Sequence, residues 1–364
     1  MKHKKKIIVW LLAAAMGVSL FACASENTGT KESGTSDSAA ENVSDSATDS
    51  SSDDGLFTLR VITQTSFNEL NVADELGFFR DEGIKIEYIG VLGQGVTEFQ
   101  LMEQGEIDAF TGGHPPGVAQ ARLAGIDVVS VAPGMVDDPE YPHVRYLVQA
   151  DSSIQSLDEA VGKTVGISGT GACTDGYVKY YLKSKGLDPD SVNFVTLSTS
   201  GQQEQALGQG LINISTSHPP YAGIALATGE YREILNSWDI FHSPGAGLSV
   251  RGFTQDFIDE YPDVVQGFVN AMYRSRIWID SNLDSAKEIV AKYLSLNSSD
   301  LSSFLYDTDK NITASYIDQW FEIAETIGLW NEGDIEPEET YTNAFVPDDI
   351  PDSDATLTWT NTDA

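Results

Sequence analysis

Apolar and polar positions along this chain switch between two periods, and the switching outlines a fold. Leu59-Arg60-Val61-Ile62-Thr63 is a short β-prone run. Over residues 68–81, Leu70, Ala73, Leu76 and Phe79 recur at helical spacing, and Gly83 marks the stop. Ile84-Lys85-Ile86-Glu87-Tyr88 alternates with period two, a strand signal. A helix over 96–104 ends at Gly105, and Ile107-Asp108-Ala109-Phe110 opens the next strand. This βαβαβ rhythm predicts a mostly parallel sheet with crossover helices. The rhythm restarts at Lys163-Thr164-Val165-Gly166-Ile167. It continues through a helix over 175–185, a strand over 192–197, a helix over 202–208 and a strand at Ile212-Asn213-Ile214. Beyond Thr254 the pattern is purely helical, over 262–280, 283–294 and 314–327.

The strongest internal signal is a self-match. Gly105-Glu106-Ile107-Asp108 is followed by His114-Pro115-Pro116, Ala121 and Gly125. Gly210-Leu211-Ile212-Asn213 is followed by His218-Pro219-Pro220, Ala225 and Gly229. From each His onward the spacing is identical, and the first copy carries one extra residue between strand and His. A repeat at this distance is domain-sized, not a solenoid period. Proline pushes the preceding His into an extended conformation and suits the first helical position, and a glycine closes the helix. Each copy therefore predicts a strand, a tight turn and a helix N-terminus, placed where open α/β sheets bind ligands. Two such turns facing each other across a gap make a cleft lined by positive helix ends. For His114, which follows Gly113, and for His218, three roles stay open: bonding the turn itself, touching a ligand, or holding a metal. His143 and His242 are not at metal-ligand spacing from either, and no metal site is expected.

Further polar turns extend the candidate site. Ser168-Gly169-Thr170-Gly171-Ala172-Cys173-Thr174 joins a strand to a helix. Its glycines allow close backbone approach, and Ser168, Thr170, Gly171, Cys173 and Thr174 are ligand-binding candidates. The competing reading is a capped helix start with Thr174 or Asp175 as N-cap. The loop lacks the Walker lysine, so it is not a P-loop. After the first strand, Gln64, Ser66 and Phe67 occupy the matching place and suit a neutral or zwitterionic ligand with a ring or alkyl portion. Gln94 and Ser200 end later strands and are expected on the rim. Trp238 is a candidate cover, with a core position as its alternative. Arg251 is read as a surface or hinge salt bridge, or else as a partner for an anion.

Composition narrows the class. The net charge is −34 over 364 residues, which repels phosphate backbones and speaks against nucleic-acid binding. The acid concentrates at the end: no Lys or Arg follows Lys310, and the tail from Asn331 carries ten Asp or Glu. Pro337, Pro347 and Pro351 oppose a long helix there, so the tail 331–364 is read as a solvated surface wrap.

The N-terminus changes the picture more. Lys2, His3 and Lys4 to Lys6 precede an uncharged run from Ile7 to Cys23, a secretory signal pattern. Leu20-Phe21-Ala22-Cys23 resembles a bacterial lipobox, with Phe21 a less usual occupant. It implies a signal peptide over 1–22 and lipidation at Cys23. Residues 23–55 are Ser, Asp, Thr and Gly-rich and cannot bury enough apolar surface to offset ordering; they read as a disordered tether. Cys173 is the other cysteine, so with Cys23 modified no intramolecular disulfide forms and no cysteine-rich metal site can be built.

Leu76-Gly77-Phe78-Phe79-Arg80-Asp81-Glu82-Gly83-Ile84, Gly105-Glu106-Ile107-Asp108-Ala109, Gly162-Lys163-Thr164-Val165-Gly166-Ile167, Gly186-Leu187-Asp188-Pro189 and Tyr261-Pro262-Asp263 stand in a specific order. Together with Trp278-Ile279, they resemble the nitrate, sulfonate, taurine and thiamine-precursor (SsuA/THI5-like) binding proteins of ABC importers. The similarity covers roughly Leu56 to Trp330. It implies an α/β, two-lobe periplasmic-binding-protein fold (Venus-flytrap, type II) with two hinge strands near 144–150 and 246–251. Lobe 1 would span 56–150, lobe 2 151–244, and 245–330 would return to lobe 1 as C-terminal helices. The resemblance further implies a monomer without cofactor or catalysis, lipid-anchored outside the cytoplasm. It would close on a small organic solute and deliver it to a membrane permease. Relatives that make the thiamine pyrimidine carry a cysteine cluster, which this chain lacks. A sensor lipoprotein remains an alternative.

Overall fold

The computed structural model describes residues 55–93, 96–199 and 201–361. The expected signal peptide, Cys23, the tether up to residue 54, and the rim residues Gln94 and Ser200 lie outside the described residues.

Eleven strands matter for the site or its support. They are Phe57–Val61 (β1), Ile84–Tyr88 (β2), Ala109–Gly113 (β3), Val128–Pro133 (β4), Met135–Val136 (β5), Arg145–Gln149 (β6), Thr164–Ile167 (β7), Asn193–Thr196 (β8), Ile214–Ser217 (β9), Tyr231–Asn236 (β10) and Val250–Thr254 (β11). β1 and β2 pair in parallel, and β11 lies antiparallel between β3 and β4. The Asp108 N–H donates to the Arg60 carbonyl at 2.9 Å and joins the two groups, giving the order β2-β1-β3-β11-β4. The second sheet runs β8-β7-β9-β6-β10, with β7 parallel to both neighbours and β6 antiparallel to both of its own. The two orders are the same pattern: second, first, third, an inserted antiparallel strand, fourth.

The inserted strands correct the expected organisation. The segment at 145–149, placed at the end of lobe 1 and read as a hinge, is an inner strand of the five-stranded sheet. Similarly, β11 starts later than the expected second hinge and is preceded by a 3-10 turn at Pro244–Gly247. The chain passes from one sheet to the other through 137–144 and back through 237–249, before each inserted strand and not within it. Two further boundaries move. The helix read over 68–81 breaks into Glu69–Glu75 and Phe78–Asp81, because Gly77 takes φ +78°. The stretch beyond Thr254 is not purely helical: Leu305–Tyr306 (β12) pairs with β5.

The self-match is visible as duplicated bonds. Asp108 Oδ2 accepts from the Arg60 N–H at 2.7 Å, and Asn213 Oδ1 accepts from the Thr164 N–H at 2.9 Å. Glu98 Oε1 accepts from the Thr111 N–H and hydroxyl at 3.0 and 3.3 Å. Gln203 Oε1 accepts from the same two groups of Thr216, both at 3.1 Å. Gly105 and Gly210, at φ +68° and +69°, close the helices before the third strands, as a left-handed C′ glycine does. The copies diverge at the turn. In the first, His114 caps a helix that starts on Pro115; in the second, the helix starts after both prolines, at Tyr221.

Two large apolar cores flank this arrangement, with a smaller cluster around Leu147, Leu207 and Ile212 on the second sheet. Leu59, Phe79, Phe268 and Trp278 belong to the core where the helices Pro262–Ser281 and Leu283–Leu294 cover the first sheet. The other core joins Phe110 and Val118 with Val165, Ile167 and Tyr177 through Ile317, Trp320 and Phe321 of the helix Ala314–Ile327. That helix packs on both Pro115–Leu123 and Cys173–Ser184, so the C-terminal segment does not return to the first sheet alone. Arg251 on β11 is fully buried and pairs with the equally buried Glu69 at 3.0 Å, not at the surface. Removing either partner of such a pair costs about 3–5 kcal/mol. The acidic tail is stitched as well as wrapped. On β4 the Ser130 N–H donates to the Thr340 carbonyl and the Ser130 carbonyl accepts from the Thr342 N–H, both at 2.9 Å, and the Trp278 indole donates to the Leu357 carbonyl at 2.8 Å.

Burial pushes the Glu98 carboxyl up to about 7, against the downward pull of the Thr111 bonds and Arg251. The folded state therefore holds this proton more tightly than the unfolded chain. The resulting stabilisation is complete below the ordinary value of 4.5 and is lost as pH rises through about 7. Gln203 shows that an amide makes the same bonds. Glu98→Gln is expected to flatten the fall in stability between about pH 5 and 8. It should raise the unfolding free energy at about pH 8 by on the order of 1–3 kcal/mol, read from urea titrations.

Candidate functional site

The loops that follow β1, β3, β7, β8 and β9 converge on one cavity of about 350 Å³. Both sheets contribute through the carboxyl ends of their strands, the ends where α/β sheets bind ligands. Gln64, Ser66, Gly113 and His114 enter from the first sheet; Ser168, Thr170, Cys173, Thr174 and His218 enter from the second. Nine of the expected site residues thus meet at one surface. Gln64 is oriented by a 2.7 Å bond to the Thr111 hydroxyl, and Thr174 donates to the Gly169 carbonyl at 2.9 Å.

Three expected residues do not line it. Phe67 is fully buried against Tyr306, because a ring flanked by Leu70 and Val72 gains more from the core than from a wet cleft. Gly171 faces Gln120, and its N–H donates to Asp175 at 2.8 Å. That bond also settles the helix start: Ala172 is the N-cap position and the helix is Cys173–Ser184, with Asp175 reaching back and neither Thr174 nor Asp175 at the cap. Trp238 sits on the short helix Ser237–Phe241 against His242, away from the cavity.

Sequence spacing gave no sign of the residues brought in by the crossings. His143 and Ser249 line the cavity from the two passages between sheets, Met135 from β5, and Phe304 from the loop before β12. His143 overturns the expectation that it stands apart. Its ring lies 4.7 Å from that of His114 and 4.9 Å from that of His218, both edge-on. The twin turns do face a common space, but His143 fills the gap between them. Cys173 Sγ is 3.3 Å from His218 Nε2, and Trp320 stacks on His114 at 4.7 Å.

Electrostatically the floor is neutral. Apolar surroundings push His114 down to about 4 and His218 to about 3, and drive His143 well below the ordinary imidazole range. Burial pushes the Cys173 thiol up, with Asp175 adding to the shift. No Lys or Arg is among the described residues that line the cavity. Arg251 lies behind Ser249, donating to its hydroxyl at 3.1 Å, and its charge is answered by Glu69. An anion in this cavity therefore meets hydroxyls, amides, imidazoles and the Glu204 carboxylate, which accepts from the Ser217 hydroxyl at 2.6 Å, and no cation among the described residues.

Comparison with known proteins adds to this geometry. The profile of the family described as NMT1/THI5 like matches residues 64–285. A protein of Bacillus subtilis (strain 168), named for binding aliphatic sulfonates, is 25% identical over 257 residues, 69% of this chain and 74% of that protein. The crystal structure of the periplasmic aliphatic sulphonate binding protein SsuA from Escherichia coli superposes with a TM-score of 0.60 at 17% identity, covering 78% of this chain and 91% of that one. The desulfurization enzyme DSZB superposes with a TM-score of 0.55 at 16% identity, covering 78% and 96%. These likenesses show the α/β periplasmic-binding-protein fold, an architecture that serves catalysis as well as binding.

His143 is 2% exposed, and neither ring nitrogen has a hydrogen-bond partner among the described residues. A buried polar group left unpaired costs about 1–3 kcal/mol. His143→Phe keeps the planar ring beside Phe304 and removes both nitrogens. The variant is expected to unfold later than the parent in chelator-treated buffer, by about that amount, measured by calorimetry.

Proposed function

The chain belongs to the NMT1/THI5-like family, and from this premise we propose that it is the extracytoplasmic solute-binding component of an ABC importer. One observation carries the reading: a single cavity receives polar groups from the carboxyl ends of strands in both sheets. A solute touching Gln64 on one side and Thr170 on the other favours the state in which the two sides are close, by its differential affinity for that state. The passages at 137–144 and 237–249 are the hinges in this reading, and the sheets on either side are the lobes.

The solute is a small organic molecule of the sulfonate type. The sulfonate-binding names among the similar proteins support that class. So do the hydroxyl-rich wall around Ser168, Thr170 and Ser198 and the apolar side chains of Met135, Leu197 and Phe304. Neutral donors hold the head group, and the apolar patch takes the alkyl or aryl portion. Cys23 carries the lipid that keeps the protein at the membrane, where the permease is its partner. The acidic excess keeps it soluble outside the cytoplasm.

An enzyme is the second reading, favoured by the 3.3 Å contact between Cys173 and His218 and by the fold shared with DSZB. Burial raises the thiol and lowers the imidazole. The pair therefore rests as thiol and neutral ring, the less reactive state.

A thermal-shift screen over alkanesulfonates, taurine, nitrate and aminopyrimidines tests the binding reading. A true solute at about 100 times its Kd adds about 2.7 kcal/mol. Gln64→Ala and Thr170→Ala should each weaken it by about tenfold. Absence of stabilisation by every class tested, or turnover of a sulfonate or sulfinate that requires Cys173, would defeat it. The anchor is tested separately: Cys23→Ser is expected to shift the protein from the membrane fraction to the medium or periplasm. Unchanged membrane retention would refute lipidation at that residue.

A further inference from the structure

The floor of the cavity carries a chemistry that does not depend on which organic solute enters from above. Three imidazoles and a thiol meet there, contributed by four separate segments: the turn after β3, the passage before β6, the start of the helix Cys173–Ser184, and the turn after β9. We propose that His114, His143 and Cys173 bind one zinc-class divalent transition-metal ion, with His218 beside the thiol as a fourth donor.

Distances support the assignment. The ligand atoms of His114, His143 and Cys173 all lie within 4.8 Å of one another. A tetrahedral zinc ion holds nitrogen at about 2.0–2.1 Å and sulfur at about 2.3 Å, which sets neighbouring donors about 3.3–3.7 Å apart. Cys173 Sγ and His218 Nε2, at 3.3 Å, already span such an edge. The edges among His114, His143 and Cys173 need side-chain shifts of about 1 Å, small against a rotamer change.

The second observation is independent of spacing. His143 is aimed into the cluster with both ring nitrogens unpartnered among the described residues, a costly arrangement that a bound cation resolves. Its backbone is fixed by a 2.7 Å bond from its N–H to Asp137 Oδ1, which also accepts from the Ser237 hydroxyl. His114 Nδ1 lies 2.7 Å from the Leu248 carbonyl oxygen. A carbonyl can only accept, so Nδ1 carries the proton and Nε2 keeps its lone pair. Metal-bound histidines show this outer bond as a rule, and it sets their tautomer.

The donor types define the cation. Imidazole and thiolate select zinc, cobalt, nickel or copper over magnesium and calcium. A metal takes imidazole in its neutral form, so binding depends on pH. Cys173 gives up its proton to solvent as the ion binds, in the first turn of a helix, where negative charge is favoured. The ion enters through the cavity itself, since all four donors line it.

Cobalt(II) is the probe. Chelator-treated protein is titrated with Co²⁺ while absorbance is followed, and zinc affinity is then measured by competition. The expected result is one equivalent bound per chain, with tetrahedral d–d bands and a thiolate-to-cobalt charge-transfer band. Cys173→Ser should lose the charge-transfer band and weaken zinc binding by at least about tenfold. His143→Phe should weaken it by about 100-fold, and its metal-free unfolding temperature, not below that of the parent, shows that the loss is not misfolding. Failure of Co²⁺ to saturate at one equivalent would overturn the site, as would zinc affinity unchanged in the Cys173→Ser, His143→Phe double variant. Repeating the organic-solute screen in chelator separates this outcome from the importer reading, which predicts stabilisation without any metal.

Discussion

One side-chain oxygen at the foot of each third strand holds this architecture in register. Asp108 and Asn213 occupy that place in the two copies, and each accepts from the backbone of the neighbouring first strand. A second oxygen, from Glu98 or Gln203, accepts both the N–H and the hydroxyl of a threonine inside the third strand. In both cases one copy uses an acid and the other the matching amide. Charge is therefore not the common requirement; a carbonyl-type acceptor of that length is. These bonds fix where β3 and β9 end, and the ends of β3 and β9 deliver His114 and His218 to the cavity.

The site inherits its character from that placement. Turns at strand ends would ordinarily present hydrated backbone groups, but the His143 ring and Trp320 close the space behind them. Desolvation follows, and it keeps imidazoles and thiol uncharged. The rest of the cavity wall is rich in hydroxyls. One cavity thus has two regions of different polarity: a rim suited to directional hydrogen bonds and a floor suited to lone-pair donation.

Much of this was readable in the sequence, for stated reasons. Period-two and helical spacing located six of the strands, β1, β2, β3, β7, β8 and β9, and most long helices, because each element buries one face. The duplicated Gly-x-Ile and His-Pro-Pro motifs identified the two related sheets and the turns that meet. The rest depended on tertiary partners. Nothing local in Arg145–Gln149 says that it will lie between β9 and β10, since an inner strand and an edge strand share the same apolar run. His143 carries no spacing signal, because it approaches His114 from a crossing segment whose path is set by both sheets. Phe67 lies in the core for a related reason: an aromatic beside a polar loop suits a core as well as a pocket, and the surrounding packing decides, while Trp238 is half-buried on its short helix and belongs to neither. The glycine loop was placed correctly, but the reach of Asp175 back to Gly171 moved the helix start and turned that glycine away.

The helix Ala314–Ile327 has a mechanical consequence. Trp320 stacks on His114 at 4.7 Å and on Tyr177 at 5.1 Å, so one indole is sandwiched between residues belonging to opposite sheets. Rotating the sheets apart must peel it from one face or the other, and each aromatic contact resists with about 0.5–1.5 kcal/mol. The indole thus behaves as a clutch plate. The angular travel of the jaws is limited from behind, by friction at a residue that no incoming molecule touches.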